Sequence, residues 1–368
     1  MSRRALPEFI TGLIIAFVAT TSTSAQFTRI ATIAGDGKAE KLSVEGAALE
    51  TSLANPFGIG EEADGSLVIC SFDWHVLYRL DASRKTLKVI AGSGAKGMGG
   101  SPGGPALAME MNQPHELQID QTGNIHIADT MNNRVVSFIR SNQTWQPLTG
   151  TGQADFSGDG GPAVKATIDQ AYSIALDRDQ LMIVDLKNQR LRQLDLTFGI
   201  IQTICGNGES KLPKDGQLAK DATLADPRSV AVDAQNIWIV LRGGNSVWRI
   251  DRSSQKIYHV AGTGKKGFSG DGGDAKLATF NGPKGIAVDP GVAVYLADTE
   301  NHAIRRIDLK SGIVNTLVGS PKGDKGFNGD GDQLQSRLLN RPHGVTLLKN
   351  GDLVIGDSEN HRVRILSR

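Results

Sequence analysis

A turn-like dipeptide followed by an apolar strand recurs along the chain, at Asn55-Pro56, Gln113-Pro114, Gln170-Ala171, Asp226-Pro227, Gly282-Pro283 and Arg341-Pro342. The second members stand 58, 57, 56, 56 and 59 residues apart, a period that runs through nearly the whole chain from residue 27 onward. Inside each unit the pattern predicts four short strands with polar turns between them. In the fourth unit they are 229–233, 237–240, 247–251 and 256–261. The second strands of the other units (67–70, 125–128, 181–184, 294–297 and 353–356) are apolar on both alternations. A strand with one wet face would alternate, so these strands belong to sheets covered on both sides.

Four-stranded sheets repeated six times and stacked face to face describe a β-propeller. The expected fold is all-β, with six antiparallel blades at about 55–92, 112–150, 169–206, 225–262, 281–319 and 340–368. The sixth unit ends after its third strand, whereas 27–35 reads as a fourth strand with no three before it. The N-terminal strand is therefore expected to complete the last blade, closing the ring and removing two exposed sheet edges.

Residues 1–25 have the form of an export signal. Arg3 and Arg4 precede an apolar stretch from Ile10 to Ala19, and Thr23 and Ala25 sit at −3 and −1 of a cleavage site before Gln26. The apolar run is too short and interrupted for a membrane span. The expectation is a secreted or periplasmic monomer, with no membrane span once the signal is removed. Forty basic residues against 39 acidic ones leave a net charge of +1, so no general field attracts a phosphate backbone and no nucleic-acid partner is expected. Two cysteines, Cys70 and Cys205, provide no disulfide framework; each ends an apolar run and is expected buried and unpaired.

Gly-Asp-Gly groups at 158–160 and 270–272 lack both the spaced carboxylates of a calcium loop and the lysine of a phosphate loop. They read as tight turns that open one helical turn before the next blade. The segment 286–308, with Ala297-Asp298-Thr299-Glu300-Asn301-His302-Ala303-Ile304-Arg305 at its centre, closely resembles the NHL repeat, as do 128–135 and 356–363. The resemblance covers about 27–368 and suggests an exported bacterial NHL-repeat propeller, a fold that hosts binding scaffolds, RNA-binding modules and lyases alike. An Asp ends the second strand at Asp129, Asp185, Asp298 and Asp357, with Ser71 and Leu241 in the other two units. It is expected to cap its own loop or to pair with an Arg five positions later, at Arg134, Arg190 and Arg362.

Chemistry is sought where units share a phase but differ in residue type. The position after each dipeptide starts the innermost strand, so Phe57, His115, Tyr172, Arg228, Lys284 and His343 should converge at one mouth of the central channel. Arg228, Lys284 and the two histidines could hold a carboxylate or phosphate, with Tyr172 and Phe57 as walls. Pro114-His115-Glu116-Leu117 and Pro342-His343-Gly344-Val345 resemble the Pro-His elements that hold zinc in peptidyl-hydroxyglycine amidating lyase, where a third histidine completes the site. Here that place is Arg228, which cannot ligate a cation. The first expectation is thus a binding or scaffold module for a protein or small anionic ligand at the channel mouth. The alternative is a lyase or hydrolase assisted by a weakly held zinc or other divalent metal on His115 and His343, with Tyr172 as acid/base. His126 and His259 read as packing residues, and His75, His302 and His361 share a loop phase of the repeat.

Overall fold

The computed structural model describes residues 27–368, so the export-signal reading of 1–25 lies outside the described residues. Six antiparallel sheets form the blades of a closed ring. In chain order, the innermost strands are Pro56–Glu61, Pro114–Ile119, Ala171–Asp177, Pro227–Val232, Gly285–Asp289 and Val345–Leu347. Each is followed by two more strands of its blade, and blades 1 to 5 add an outer fourth, such as Lys256–Ala261 in blade 4. Blade 6 takes its fourth strand from the other end of the chain: Arg29–Ala34 pairs antiparallel with Arg362–Ser367, Ile30 opposite Leu366. Blades 1, 3 and 5 also carry a fifth, very short outer strand, at Glu45–Ala47, Gly161–Pro162 and Gly273–Asp274, beyond the four expected. Among the described residues no helix is long and apolar enough to cross a membrane.

The apolar second strands are explained by where the core lies. Buried side chains form six clusters, one in each interface between neighbouring blades. Every residue of Leu67–Ser71, Ile125–Asp129, Ala293–Asp298 and Leu353–Asp357 is buried, because both faces of each sheet meet a neighbour. Cys70 lies in the interface of blades 1 and 2 and Cys205 in that of blades 3 and 4, so both are buried free thiols.

A second system of contacts runs around the ring at the loops after the second strands. His75, Asn133, Gln189, Asn245, His302 and His361 each take a left-handed backbone turn and project a side-chain acceptor onto the next blade. The acceptors receive the backbone N–H groups of Gln113, Gln170, Asp226, Gly282, Arg341 and Asn55 at 2.9 to 3.2 Å. The last of these joins blade 6 to blade 1, so the six latches form a closed circle. Three are histidines accepting through Nδ1, which must therefore be unprotonated.

The recurring Asp is a buried hub. Asp129, Asp185, Asp298 and Asp357 each accept a backbone N–H from the dipeptide turn and the amide of Asn132, Asn188, Asn301 or Asn360. Only Asp129 pairs with the arginine five positions on, Arg134 at 2.7 Å. In blades 3, 5 and 6 the partner is seven positions on, at Arg192, Arg305 and Arg364, which differs from the expected Arg190 and Arg362. Two positions along a strand keep a side chain on the same face, and the deeper site lets each arginine also reach the Asp of a Gly-Asp-Gly turn: Asp159, Asp271 or Asp330. The glycine-rich turns are thus structural, with Gly270 at φ +102° and Gly272 at +78° allowing the turn that presents Asp271. Arg190 and Arg362 instead donate to the carbonyls of Asn188 and Asn360.

Two predictions arise from these contacts. Burial lowers the pKa of His75, His302 and His361 below the ordinary 6.5, so below about that pH the unfolded chain takes up protons that the latches refuse. Their contribution to stability is complete above pH 6.5 and drains away as the pH falls. Replacing all three by Asn, which serves already at Asn133 and Asn245, should leave urea-unfolding stability near wild type at pH 8 and above wild type at pH 5. Parallel losses in both proteins would show that the latches do not titrate. Separately, Arg364→Met strands Asp357 in the interior and should cost about 3–5 kcal/mol, with part of the loss recovered in the double variant with Asp357→Asn.

Candidate functional site

Ring geometry brings the six residues after the dipeptides to one place on the axis. The Phe57 ring stacks on His343 with centroids 4.0 Å apart and meets His115 edge-on at 5.1 Å. His115 lies 4.0 Å from Tyr172, and the Arg228 guanidinium sits 4.2 Å above the Tyr172 ring. Lys284 returns the circuit to blade 6, donating from Nζ to Nε2 of His343 at 3.1 Å. The chain of contacts is open in one place, between Arg228 and Lys284, two like charges that cannot pair with each other.

These side chains plug the axis. Glycines follow the column residue in three blades, and a Cβ at Gly344 would come 2.0 Å from the Phe57 carbonyl oxygen, one at Gly285 2.1 Å from that of His343. Such close approach leaves an axial space of about 10 Å³ below the plug, roughly one water. Glu116 lines that space, and burial pushes its carboxyl up to about 8, so it is protonated at neutral pH. On the other side the plug floors a recess of about 260 Å³, open at the mouth.

Polar contacts fix the protonation of the floor. Nδ1 of His115 donates to the Gln113 carbonyl and Nδ1 of His343 to that of Arg341, each at 2.9 Å. Burial, reinforced by nearby cations, holds the pKa of His115 at about 3 and that of His343 far below its ordinary value, so both imidazoles are neutral. Lys284 is drawn down to about 8, mainly by burial, although Glu300 lies 3.1 Å from Nζ. For Glu300, burial is outweighed by hydrogen bonds from Arg341 and Lys284, and its carboxyl falls to about 2. Arg341 also binds Glu359 at 2.7 Å. Arg228 is the poorly matched member: its nearest carboxylate, Asp226, is 3.8 Å from Nε, and that buried Nε has no hydrogen-bond partner.

The arrangement does not suit the zinc reading. Phe57 packs against both imidazoles, stacked on His343 and edge-on to His115. The Nε2 lone pair of His343 is already engaged by Lys284, and Arg228 occupies the third place. Among the described residues no group of three or more His, Cys, Asp or Glu side chains could hold a metal ion. Tyr172, the candidate acid/base, is buried between His115 and Arg228, with its phenol pushed upward by burial against the opposing charge of Arg228. His126 and His259 are packing residues, bonded to Ser137 and to the Gly262 carbonyl.

The recess also contains Phe72, Arg242, Arg341 and Glu359, which the column did not point to. Phe72 and Arg242 follow Ser71 and Leu241, the two units where the hub Asp is missing. In three units with the Asp, the next residue is Thr130, Thr299 or Ser358, whose hydroxyl turns inward to a carbonyl of the following blade. A break in the repeat was therefore the available signal, since it marks units whose loop residue is free to face the recess.

Comparison with known proteins bears on the fold. The NHL repeat model matches residues 339–366, and the Teneurin NHL domain model matches 246–325. The chain thus carries segments that match NHL repeats, and it folds as a six-bladed propeller. It is 24% identical to NHL repeat-containing protein 2 of Gallus gallus over 283 residues, 69% of this chain and 38% of that protein. It thus spans well under half the length of that curated relative. Among solved structures, an auxiliary nutrient binding protein from Bacteroides thetaiotaomicron superposes with a TM-score of 0.67 at 16% identity, covering 93% of this chain and 77% of that one. A streptogramin B lyase superposes at 0.53, also at 16% identity, covering 87% and 95%. At such identities the likeness is one of fold.

If Lys284 sets the electrostatics of the floor as its contacts indicate, Lys284→Met should raise the pKa of His343, which loses the charge against its Nε2. Imidazole NMR titration reads the shift directly, and an unmoved His343 resonance would mean that desolvation alone controls it.

Proposed function

We propose that this protein is an exported binding module that holds a small anion at the axial mouth of the propeller, between Arg228 and Lys284. The observation that carries this reading is the position of Arg228: a guanidinium whose nearest carboxylate stands 3.8 Å from Nε, at the one break in a circuit of contacts that Lys284 resumes. A guanidinium so loosely paired keeps N–H donors that an anionic acceptor would engage through charge-assisted hydrogen bonds. The surrounding charges favour a single negative charge. Arg228, Arg242, Lys284 and Arg341 are opposed by Asp226, Glu300 and Glu359, which pair with them and leave one positive charge in excess.

A concave recess of about 260 Å³ suits a small molecule better than a protein surface. The auxiliary nutrient binding protein shows the same fold described as a binding protein, and the opening residues carry the features of an export signal. The metal-assisted alternative has no comparable support, since Lys284 already engages Nε2 of His343.

A thermal-shift screen of small carboxylates and phosphate, followed by calorimetric titration, tests the reading. Arg228→Gln and Lys284→Met should each weaken binding by about tenfold or more, the loss of one charge-assisted contact, while Lys310→Gln on the exposed outer rim should not. Because Lys284 titrates at about 8, affinity for the anion should fall as the pH rises from 7 to 9 and the ammonium is lost. Affinity unchanged by both variants and by pH would remove the proposal.

A further inference from the structure

The recess is divided by chemistry. Rings come from consecutive blades on one side, with His343, Phe57, Phe72, His115 and Tyr172 in unbroken contact. Phe72 stacks on Phe57 at 4.4 Å and meets His115 edge-on at 4.8 Å, carrying the aromatic floor up into the wall. Cations come from the other side: Arg228 and Arg242 from blade 4, Lys284 from blade 5, and Arg341 at the start of blade 6. The boundary between the halves is itself a contact, the guanidinium of Arg228 over the ring of Tyr172.

From this division we infer that the anion bound between Arg228 and Lys284 is a planar aromatic monocarboxylate of the benzoate class. The inference rests on the anion site argued above and adds the other half of the ligand. A purely inorganic anion would satisfy the cations and leave the aromatic side wet, so that half of the recess would contribute nothing. A ring with its carboxylate at Arg228 and Lys284 extends toward Phe57, Phe72 and His115, where offset or edge-on contact with aromatic partners is favourable. The neutrality of both imidazoles makes that side apolar enough to accept it. Size narrows the class further. An apolar cavity of about 150 Å³ holds one benzene ring, so about 260 Å³ accommodates one ring with a carboxylate and a small substituent. A nucleotide or a peptide would overfill the recess and extend out of its mouth. One positive charge in excess matches the single negative charge of such a ligand, whereas phosphate, part dianion at pH 7, exceeds it.

Calorimetric titration of the whole protein at pH 7 with benzoate, cyclohexanecarboxylate, acetate, phosphate and benzamide tests the inference. Benzoate should bind about tenfold or more tightly than acetate, the scale of one well-placed aromatic contact. Cyclohexanecarboxylate should bind more weakly than benzoate, and benzamide should lose most of the affinity because it carries no charge. Phe72→Ala, at a half-exposed position, should weaken benzoate and leave acetate unchanged; circular dichroism confirms that the variant folds. Should acetate or phosphate match benzoate, or should Phe72→Ala leave benzoate untouched while Arg228→Gln weakens it, the aromatic assignment fails and the anion site stands. If none of the anions binds, the anion site fails and takes this inference with it.

Discussion

Every blade of this propeller has two faces to bury and only its neighbours to bury them against. That single constraint orders the rest of the structure. It places six hydrophobic clusters between blades and makes the second strands apolar throughout. It also forces the first and last strands into one sheet, since an open ring would leave two apolar faces wet. The circle of six side-chain latches acts at the same joints with polar chemistry. Buried backbone N–H groups at the blade entries need acceptors, and each is supplied by the preceding blade.

The fold was legible because repetition reports geometry. A period of 56 to 59 residues with four short apolar strands each leaves few architectures open, and the incomplete last unit together with the unattached first strand identified how the ring closes. The convergence of Phe57, His115, Tyr172, Arg228, Lys284 and His343 was legible for the same reason, because equal phase in a ring means equal distance from the axis. Details that depend on side-chain reach were not. Arg192 and Arg364 pair with the hub Asp where the spacing pointed to Arg190 and Arg362, and Arg305 where it pointed to none, since sequence spacing cannot weigh a five-residue separation against a seven-residue one when the second partner, Asp159, Asp271 or Asp330, comes from a distant turn.

The site illustrates how a symmetric frame produces an asymmetric surface. The backbone offers six nearly equivalent positions, and the sequence fills them with rings on one arc and cations on the other. Glycines behind Phe57, Lys284 and His343 draw the inner strands together until the side chains touch, and contact then sets protonation. Neutral imidazoles, a lysine whose pKa is drawn down to about 8 and a protonated Glu116 all follow from the exclusion of water at the axis. The residues that widen the recess, Phe72 and Arg242, occur where the repeat lacks its hub carboxylate, so the irregular units are the ones that contribute chemistry beyond the column.

Building the sixth blade from both ends of the chain also governs how the molecule can be made. Five blades can form from contiguous sequence, but the joint between Arg29–Ala34 and Arg362–Ser367 spans more than 300 residues, the most remote pairing available and the slowest to find. Until the last thirty or so residues are present, the faces that flank the gap stay uncovered and open to improper partners. Assembly therefore has a mandatory final step. The complete circle of latches, and with it the centring of six side chains on one axis, arises only when that step is done.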